Sequence, residues 1–246
     1  MVRLFVPPPR IEGGQATLVA EDAAYLGKVL RLSPGDAVEV FDGAGGVYDG
    51  RITALSPTGG ELSLLSRREG GAVRRRPVLE LWPGLPKGEK LEWIVQKAVE
   101  LGVAGVVPLL CDRSVPRLDG ARRVSRLARW RKVAAEAARQ CGRADIPAIA
   151  DPADIAALAE RARAGLPVAI LHVAPAPGLA TWLAGRSSVE RVAIATGPEG
   201  GFAPEELATL QKGGASLCSI GRRTLRAETA AVTACAIWAL AAGELG

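Results

Sequence analysis

Metal-binding and disulfide-forming side chains are scarce in this 246-residue sequence. It contains one histidine, His172, and four cysteines, Cys111, Cys141, Cys218 and Cys235, which lie far apart and form no CxxC pair. Such spacings support neither a zinc site nor a framework of structural disulfides. We therefore expect a protein that holds no metal ion.

Long apolar segments are also missing. The first ten residues, MVRLFVPPPR, have prolines and charges where a secretory signal needs an apolar run. The longest apolar stretch, residues 230–242, is too short to span a bilayer and is interrupted by Thr233. Because hydrophobic residues still make up 48% of the chain and charged residues 23%, we expect a globular cytoplasmic protein that does not enter a membrane.

Positive charge is concentrated in one part of the chain. The formal net charge is +5, yet residues 1–73 hold 7 Lys and Arg against 9 Asp and Glu. The peak lies in residues 122–143, which contain Arg122, Arg123, Arg126, Arg129, Arg131, Lys132, Arg139 and Arg143 but only one acidic residue, Glu136. On a helix, residues three or four apart share a face, so this segment predicts a basic stripe that binds phosphates. A solvated helix face is the alternative.

The first 70 residues are predicted to form a small β-barrel with one helix. Short alternating apolar runs occupy residues 3–6, 16–19, 37–41, 47–52 and 61–65, and glycine or proline clusters separate them. Residues 22–30 have the pattern of a helix. Residues 69–77 contain two glycines, a basic triplet and a proline without periodicity, which is typical of an interdomain linker.

From residue 74 to the end, short apolar runs alternate with helical patterns. The predicted strands are residues 78–81, 105–110, 146–150, 168–173, 192–196 and 217–220. The predicted helices are residues 89–101, 121–140, 153–164, 204–212 and 226–242. Such alternation is typical of an α/β domain in which helices cover a parallel sheet.

Two glycine-containing turns follow predicted strands of this α/β domain. Residues 197–201, GPEGG, come directly after one strand and before a helix that has Pro204 in its first turn. Three glycines let a backbone approach a ligand closely, although the spacing is neither that of a dinucleotide fold nor that of a phosphate-binding loop. This turn therefore predicts a cofactor loop, and a purely structural turn is the alternative.

The second turn leads into a helix with an unusual beginning. Residues 220–230, IGRRTLRAETA, pass a glycine and enter a helix that is otherwise small and apolar. Its first turn carries Arg226, Glu228 and Thr229. Burying Arg and Glu there is costly unless they pair or act, so we expect a functional role. The alternative is an Arg226–Glu228 pair that only holds the start of the helix.

These turns belong to an ordered set of motifs. The set comprises VLRLSPGDAVEVFDG (29–43), KGEKLEWIVQKAVELGV (87–103), RSV (113–115), QCGR with a following proline (140–143 and 147), GPEGGF (197–202) and IGRRTLRAETA (220–230). With it the chain resembles the bacterial 16S ribosomal RNA uridine-N3 methyltransferase family over essentially its whole length. Ala203 stands where that family usually has a serine that caps the next helix, and the missing cap lowers helix stability by about 1 kcal/mol. Ile220 stands where leucine is usual.

The resemblance implies a fold and an activity. The fold is a PUA-like barrel, residues 1–70, followed by a SPOUT-type α/β domain, residues 74–246, whose parallel sheet contains a trefoil knot. The activity is S-adenosylmethionine-dependent methylation of N3 of a uridine in 16S rRNA, within the 30S subunit, by a homodimer. Two other functions stay open: a knot-class methyltransferase acting on ribose 2′-oxygens, and a non-catalytic RNA-binding protein associated with the ribosome.

The resemblance also implies roles for particular residues. Arg226 and Glu228 are the catalytic candidates: Arg226 to stabilise charge as the N3 proton leaves, and Glu228 to accept a proton or orient a partner. Contacts of these residues to the knot that only hold the start of the helix are a further alternative. The cofactor candidates are Leu171, His172, Gly197, Pro198, Glu199, Gly200, Gly201, Ile220, Gly221, Leu225, Arg226 and Thr229. The RNA-binding candidates are Arg31, Lys87, Arg113, Arg122, Arg126, Arg129 and Arg143.

Overall fold

The computed structural model describes residues 1–70, 77–114 and 119–245, and its contacts divide the chain into two units. The first unit comprises Met1–Val73 and Ala135–Ile146, and the second comprises Arg74–Ala134 and Pro147–Gly246. The predicted linker falls on residues 69–77, of which 71–76 lie outside the described residues.

The first unit is built on one six-stranded sheet. Its strands are β1 (Val2–Phe5), β2 (Ile11–Glu12), β3 (Gln15–Val19), β4 (Ala37–Phe41), β5 (Gly46–Ser56) and β6 (Gly59–Glu69). The order is β1-β4-β5-β6-β3-β2, in which β1 and β4 are parallel and the other pairs antiparallel. Alternate residues such as Val38, Val40 and Leu62 are fully buried, as the alternating sequence pattern predicts.

The helix predicted for residues 22–30 begins earlier and is not regular. Helix α1 (Ala20–Ala24) is followed by a π-helical turn, Tyr25–Val29, and a 3₁₀ turn lies at Pro8–Arg10. The Asp22 carboxylate accepts a hydrogen bond from the Val19 backbone N–H at 3.3 Å, which draws the helix start forward. Arg31, directly after this segment, has a left-handed φ of 58°.

The second unit is a parallel α/β sheet. Its strands are β7 (Val78–Pro83), β8 (Gly105–Val106), β9 (Leu109–Leu110), β10 (Ala148–Ile149), β11 (Ala153–Asp154), β12 (Val168–Leu171), β13 (Arg191–Thr196) and β14 (Ser216–Cys218). Its helices are α2 (Lys90–Glu100), α3 (Gly120–Cys141), α4 (Ile155–Arg163), α5 (Leu179–Ala184), α6 (Pro204–Lys212) and α7 (Ala227–Ala241). Residues 135–141 at the end of α3 belong to the first unit. The main sheet has the order β10-β8-β7-β13-β12-β14, and β9 and β11 pair separately.

Four features of this unit differ from the sequence prediction. The strand predicted for residues 105–110 is broken into β8 and β9, because Pro108 between them has no N–H to donate to a neighbouring strand. Helix α4 begins later than predicted, at Ile155, where the Asp154 carboxylate accepts a hydrogen bond from Ala157 N at 2.8 Å. Helix α5 and strand β11 were not predicted.

The register of the central strands brings three loops together. Leu171 at the end of β12 is paired with Thr196 of β13 and with Cys218 of β14, so these three strands end at the same level. Ligands of parallel α/β sheets bind outside the carboxyl ends of the strands. The loops that follow β12, β13 and β14 are therefore placed to form one site.

Candidate functional site

A cavity of about 640 Å³ lies at the carboxyl ends of β12, β13 and β14. This volume falls in the usual range for small-molecule sites. The predicted cofactor residues that line it are Leu171, His172, Gly197, Pro198, Glu199, Gly200, Gly201, Ile220, Gly221, Leu225 and Arg226. Thr229 is exposed and does not line the cavity, whereas Ala227 and Ala230 of the same helix do.

The turn at residues 197–201 is held against Gly84, a glycine outside the motifs that indicated the site. Gly84, just after β7, donates its backbone N–H to Thr196 O at 2.7 Å. A Cβ at Gly84 would lie 2.4 Å from Pro198 N, a separation that real Cβ atoms do not adopt. Gly201 has a φ of +68° and donates to Pro198 O at 2.8 Å. The close approach of the two backbones thus requires glycine at position 84.

Arg113 also packs against this turn. Its Nη1 donates to Gly200 O at 2.9 Å, and it lines the cavity, although we predicted it as an RNA-binding residue. The buried Glu206 carboxylate accepts hydrogen bonds from Asp112 N, directly before Arg113, at 2.8 Å and from Ala203 N at 2.7 Å. The bond from Ala203 N satisfies one backbone group at the start of α6, where the expected capping serine is missing.

Lys90 joins the two glycine-containing turns. Its Nζ lies 2.9 Å from Glu199 Oε1 and 3.4 Å from Glu228 Oε2. Burial raises the pKa of Glu199. Hydrogen bonds from Lys90 and from backbone N–H groups lower it, as does the positive charge of Lys90, and the net result is a lowered pKa. The hydrogen bond to Glu199 raises the pKa of Lys90. Lys90 therefore connects the beginning of α2 to the 197–201 turn and to the first turn of α7.

The two catalytic candidates occupy different environments. Arg226 is exposed and lines the cavity, and its side chain has no ion-pair or hydrogen-bond partner within the described parts of the chain. The expectation that it is buried was wrong, and the alternative Arg226–Glu228 pair does not form. Glu228 has a side chain only 18% exposed, and its Oε2 accepts no hydrogen bond. Glu228 does not line the cavity, and its Oε2 lies 3.4 Å from Nζ of Lys90, which does.

His172 and the cysteines have structural surroundings. The His172 Nδ1 accepts a hydrogen bond from Ala174 N at 3.0 Å, which shapes the loop after β12. All four cysteines are free. Burial raises the pKa of Cys218 to about 11, so its thiol stays protonated at neutral pH. Among the described residues no group of three or more His, Cys, Asp and Glu side chains could hold a metal ion, and no helix could cross a membrane.

The basic residues predicted to bind RNA are not equally available. Arg129 is paired with Glu92 at 2.6 Å and Glu89 at 3.1 Å, and Arg143 with Asp145 at 2.8 Å. Arg122, Arg126, Lys87 and Arg31 have no side-chain partner in residues 1–70, 77–114 and 119–245. The predicted stripe on α3 is thus partly neutralised by carboxylates that lie outside residues 122–143.

The Lys90 cluster predicts a pH-dependent effect on stability. Lys90→Met should lower the free energy of unfolding at neutral pH, because Glu199 and Glu228 lose their cation. Since the pKa of Glu199 is lowered on folding, its contribution is present above the unfolded value of about 4.3 and is lost as the pH falls through the folded value. Thermal unfolding from acid to neutral pH should therefore show a difference from wild type that shrinks below about pH 4.

The control for this measurement is Lys212→Met, which removes an exposed lysine at the end of α6. Its effect on the free energy of unfolding should be small and nearly independent of acid pH. A Lys90→Met difference that stays constant from neutral to acid pH would show that the cluster contributes no net electrostatic stabilisation.

Comparisons with known proteins agree with this arrangement. The chain matches a family described as an RNA methyltransferase domain over residues 74–239, and a family described as an RNA methyltransferase PUA domain over residues 20–65. It is 33% identical over 236 residues to the ribosomal RNA small subunit methyltransferase E of Synechocystis sp.. This match covers 95% of this chain and 76% of that protein.

Two solved structures are similar over nearly the whole chain. One is a methyltransferase from Legionella pneumophila in complex with the bound cofactor SAM, with a TM-score of 0.87, 29% identity and 96% coverage of both chains. The other is a ribosomal RNA small subunit methyltransferase E from Neisseria gonorrhoeae bound to S-adenosyl methionine, with a TM-score of 0.82 and 25% identity. The match covers 96% of this chain and 95% of that one.

Proposed function

Because this chain belongs to the RNA methyltransferase family that includes ribosomal RNA small subunit methyltransferase E, we propose that it methylates N3 of a uridine in 16S rRNA, with S-adenosylmethionine as the methyl donor. The predicted SPOUT-type α/β fold with a PUA-like N-terminal domain agrees with these relatives. The observation that carries the proposal is the cavity, which joins the GPEGGF and IGRRTLRAETA segments around one space.

The cavity has the chemistry that S-adenosylmethionine requires. Leu171, Ile220 and Leu225 offer apolar surface for the adenosine moiety, and the 197–201 turn offers backbone groups at close range. When bound, the cofactor supplies a methyl group activated by its attachment to a sulfonium. The residues of this chain hold it, and Gly84 and Gly201 give the turn its shape.

Arg226 is the residue best placed to assist the reaction. Uridine N3 lies on the Watson–Crick edge, so the target base must be unpaired or flipped out before it can reach the cavity. As N3 loses its proton to solvent, before it accepts the methyl group, negative charge develops on the neighbouring carbonyl oxygens. The Arg226 guanidinium lines the cavity without a partner of its own among the described residues, so it is free to stabilise that charge. Glu228 acts as an orienting residue, through Lys90.

RNA binding is assigned to basic side chains outside the cavity. Arg122 and Arg126 of α3 and the exposed Lys87 carry charges that no described carboxylate neutralises. The N-terminal unit, with Arg31, helps to select the site. The proposed substrate is the 16S rRNA of the small subunit. Because ribosomal subunits are found in the cytoplasm, we propose that the protein acts there.

The last helix predicts a homodimer. One side of α7 is buried through Ala231, Cys235 and Trp238, whereas Ile237 is half-buried and Leu240 is 68% exposed. An apolar helix face needs a covering surface, and a two-fold dimer is the commonest solution. Light scattering at micromolar concentration should give the mass of a dimer, and Leu240→Glu should shift it toward the monomer.

The control for the dimer is Leu65→Glu, which places the same charge at a residue that is 64% exposed in the first unit. It should leave the mass unchanged. A monomeric wild-type protein would contradict the homodimer.

The function itself is tested with 30S subunits from a strain that lacks the gene. The purified protein and S-adenosylmethionine should convert one uridine of the 16S rRNA into 3-methyluridine, detected by mass spectrometry of nucleosides. A methyl group on a ribose 2′-oxygen would identify the other knot-class activity. Binding of 16S rRNA without methyl transfer would identify a non-catalytic RNA-binding protein.

A further inference from the structure

The cavity has an excess of positive charge. Among the residues that the structure describes, four basic side chains line it, Lys90, Arg113, Arg223 and Arg226, against one carboxylate, Glu199. Lys90 is held by Glu199 and Glu228, and Arg113 donates to the Gly200 carbonyl. Arg223 and Arg226 have no such partner among residues 1–70, 77–114 and 119–245. Two guanidinium groups at the cavity are therefore available to an external ligand.

Arg222, next to Arg223, adds a third available guanidinium. It is exposed and has no side-chain partner in the described chain. The loop that carries both arginines has a defined shape: Ser219 Oγ accepts a hydrogen bond from Gly221 N at 3.2 Å, and Gly221 has a φ of +130°. This φ lies in the region that favours glycine, so the backbone before the arginine pair is held in a conformation that few other residues adopt.

The cofactor does not account for this excess charge. S-adenosylmethionine carries a sulfonium, an ammonium and one carboxylate, so it is itself a net cation and adds positive charge to the cavity. An anionic partner is needed to offset the combined positive charge of the cavity side chains and the cofactor. RNA phosphates supply such charge, and the planar guanidinium of arginine matches their geometry.

Several arginines of α3 are less suited to this role. Arg123 is paired with Asp151 at 3.0 Å, and Arg129 with Glu92 at 2.6 Å. A phosphate would have to compete with these carboxylates. Arg222 and Arg223 can bind a phosphate without losing an internal partner.

We propose that Arg222 and Arg223 form a phosphate-binding site for the RNA strand that carries the target uridine, at the mouth of the cofactor cavity. This inference rests on the proposed function. Phosphates held there lie beside the cavity that Arg226 lines, so the flipped base reaches Arg226 while its own backbone stays bound. The two arginines are RNA-binding residues and take no part in the chemical step.

The test is the salt dependence of RNA binding by the full-length protein. 30S subunits from a strain that lacks the gene are titrated with wild type and with Arg222→Gln/Arg223→Gln from about 50 to 200 mM salt. Loss of two phosphate contacts on a single strand should reduce the slope of log affinity against log salt by about 1.4. Affinity at the lower salt should fall about 10-fold or more. Arg222→Lys/Arg223→Lys should keep the slope, because lysine retains the charge.

Two measurements separate the possible outcomes. Arg163→Gln, which removes an exposed arginine that does not line the cavity, should leave the slope unchanged. Calorimetry with S-adenosylmethionine should show that the Arg222→Gln/Arg223→Gln variant still binds the cofactor and is folded. An unchanged slope in that variant, or a loss of cofactor affinity alone, overturns this inference while the proposed function stands. A wild-type protein that does not bind these 30S subunits overturns both.

Discussion

Replacing Arg226 with alanine is expected to lower the rate of methyl transfer at saturating substrates by roughly 100- to 1000-fold, the usual effect of removing one preorganised donor from an active site. The reason is that the charge it stabilises appears only as the uridine N3 proton leaves, so its loss affects turnover more than binding. Because the Arg226 side chain is exposed and has no partner among the described residues, the variant should fold, and its cofactor affinity should fall much less than its turnover.

The measurement is single-turnover methylation of 30S subunits, with the cofactor affinity determined in parallel. Arg226→Lys should recover only part of the rate, since a point charge cannot replace the planar fork of the guanidinium. Glu228→Gln should lower the rate less than Arg226→Ala, because Glu228 contacts Lys90 and does not line the cavity. A normal rate in Arg226→Ala would exclude the catalytic role, and a loss of cofactor affinity alone would make it a binding residue.

Gly200→Val is expected to abolish S-adenosylmethionine binding while leaving unfolding cooperative. A Cβ at Gly200 would lie 3.0 Å from Arg113 Cβ and 3.3 Å from Arg113 Cδ. The added side chain must therefore displace Arg113, whose Nη1 bonds to Gly200 O, or move the 197–201 turn that lines the cavity. Either change alters the surface of the cavity that we propose holds the cofactor.

Calorimetric titration with S-adenosylmethionine measures this effect. The matched control is Gly185→Val at the end of α5, where a Cβ would have Trp182 O as its nearest neighbour, at an ordinary contact distance of 3.8 Å. That variant should retain its cofactor affinity. Unchanged affinity in Gly200→Val would remove the turn from the cofactor site.

Local sequence patterns were sufficient for most of the secondary structure. Strands such as β13 and helices such as α6 lie within a residue or so of their predicted bounds, because a strand alternates and a helix repeats within a few residues. The errors have local causes as well. Pro108 divides one predicted strand, and Asp154 sets a later helix start.

The site was only partly predictable, because its supports come from distant parts of the chain. The two glycine-containing turns were recognised from their motifs, and both line the cavity. Lys90 and Glu199 are 109 residues apart, and Glu206 and Asp112 are 94 apart. No periodicity links such pairs. The PGLP sequence after a predicted strand was the one local signal that could have pointed to Gly84.

By itself the sequence determined the α/β class of the larger domain, the β-rich smaller one, the family and the segments that carry the chemistry, since periodicity and ordered motifs are properties of the chain. Only the tertiary structure decided which charges remain available. Arg129, predicted to bind RNA, is neutralised by Glu89 and Glu92, whereas Arg226, predicted to be buried, is exposed at the cavity. Electrostatic pairing depends on distance in space, and the fold sets that distance.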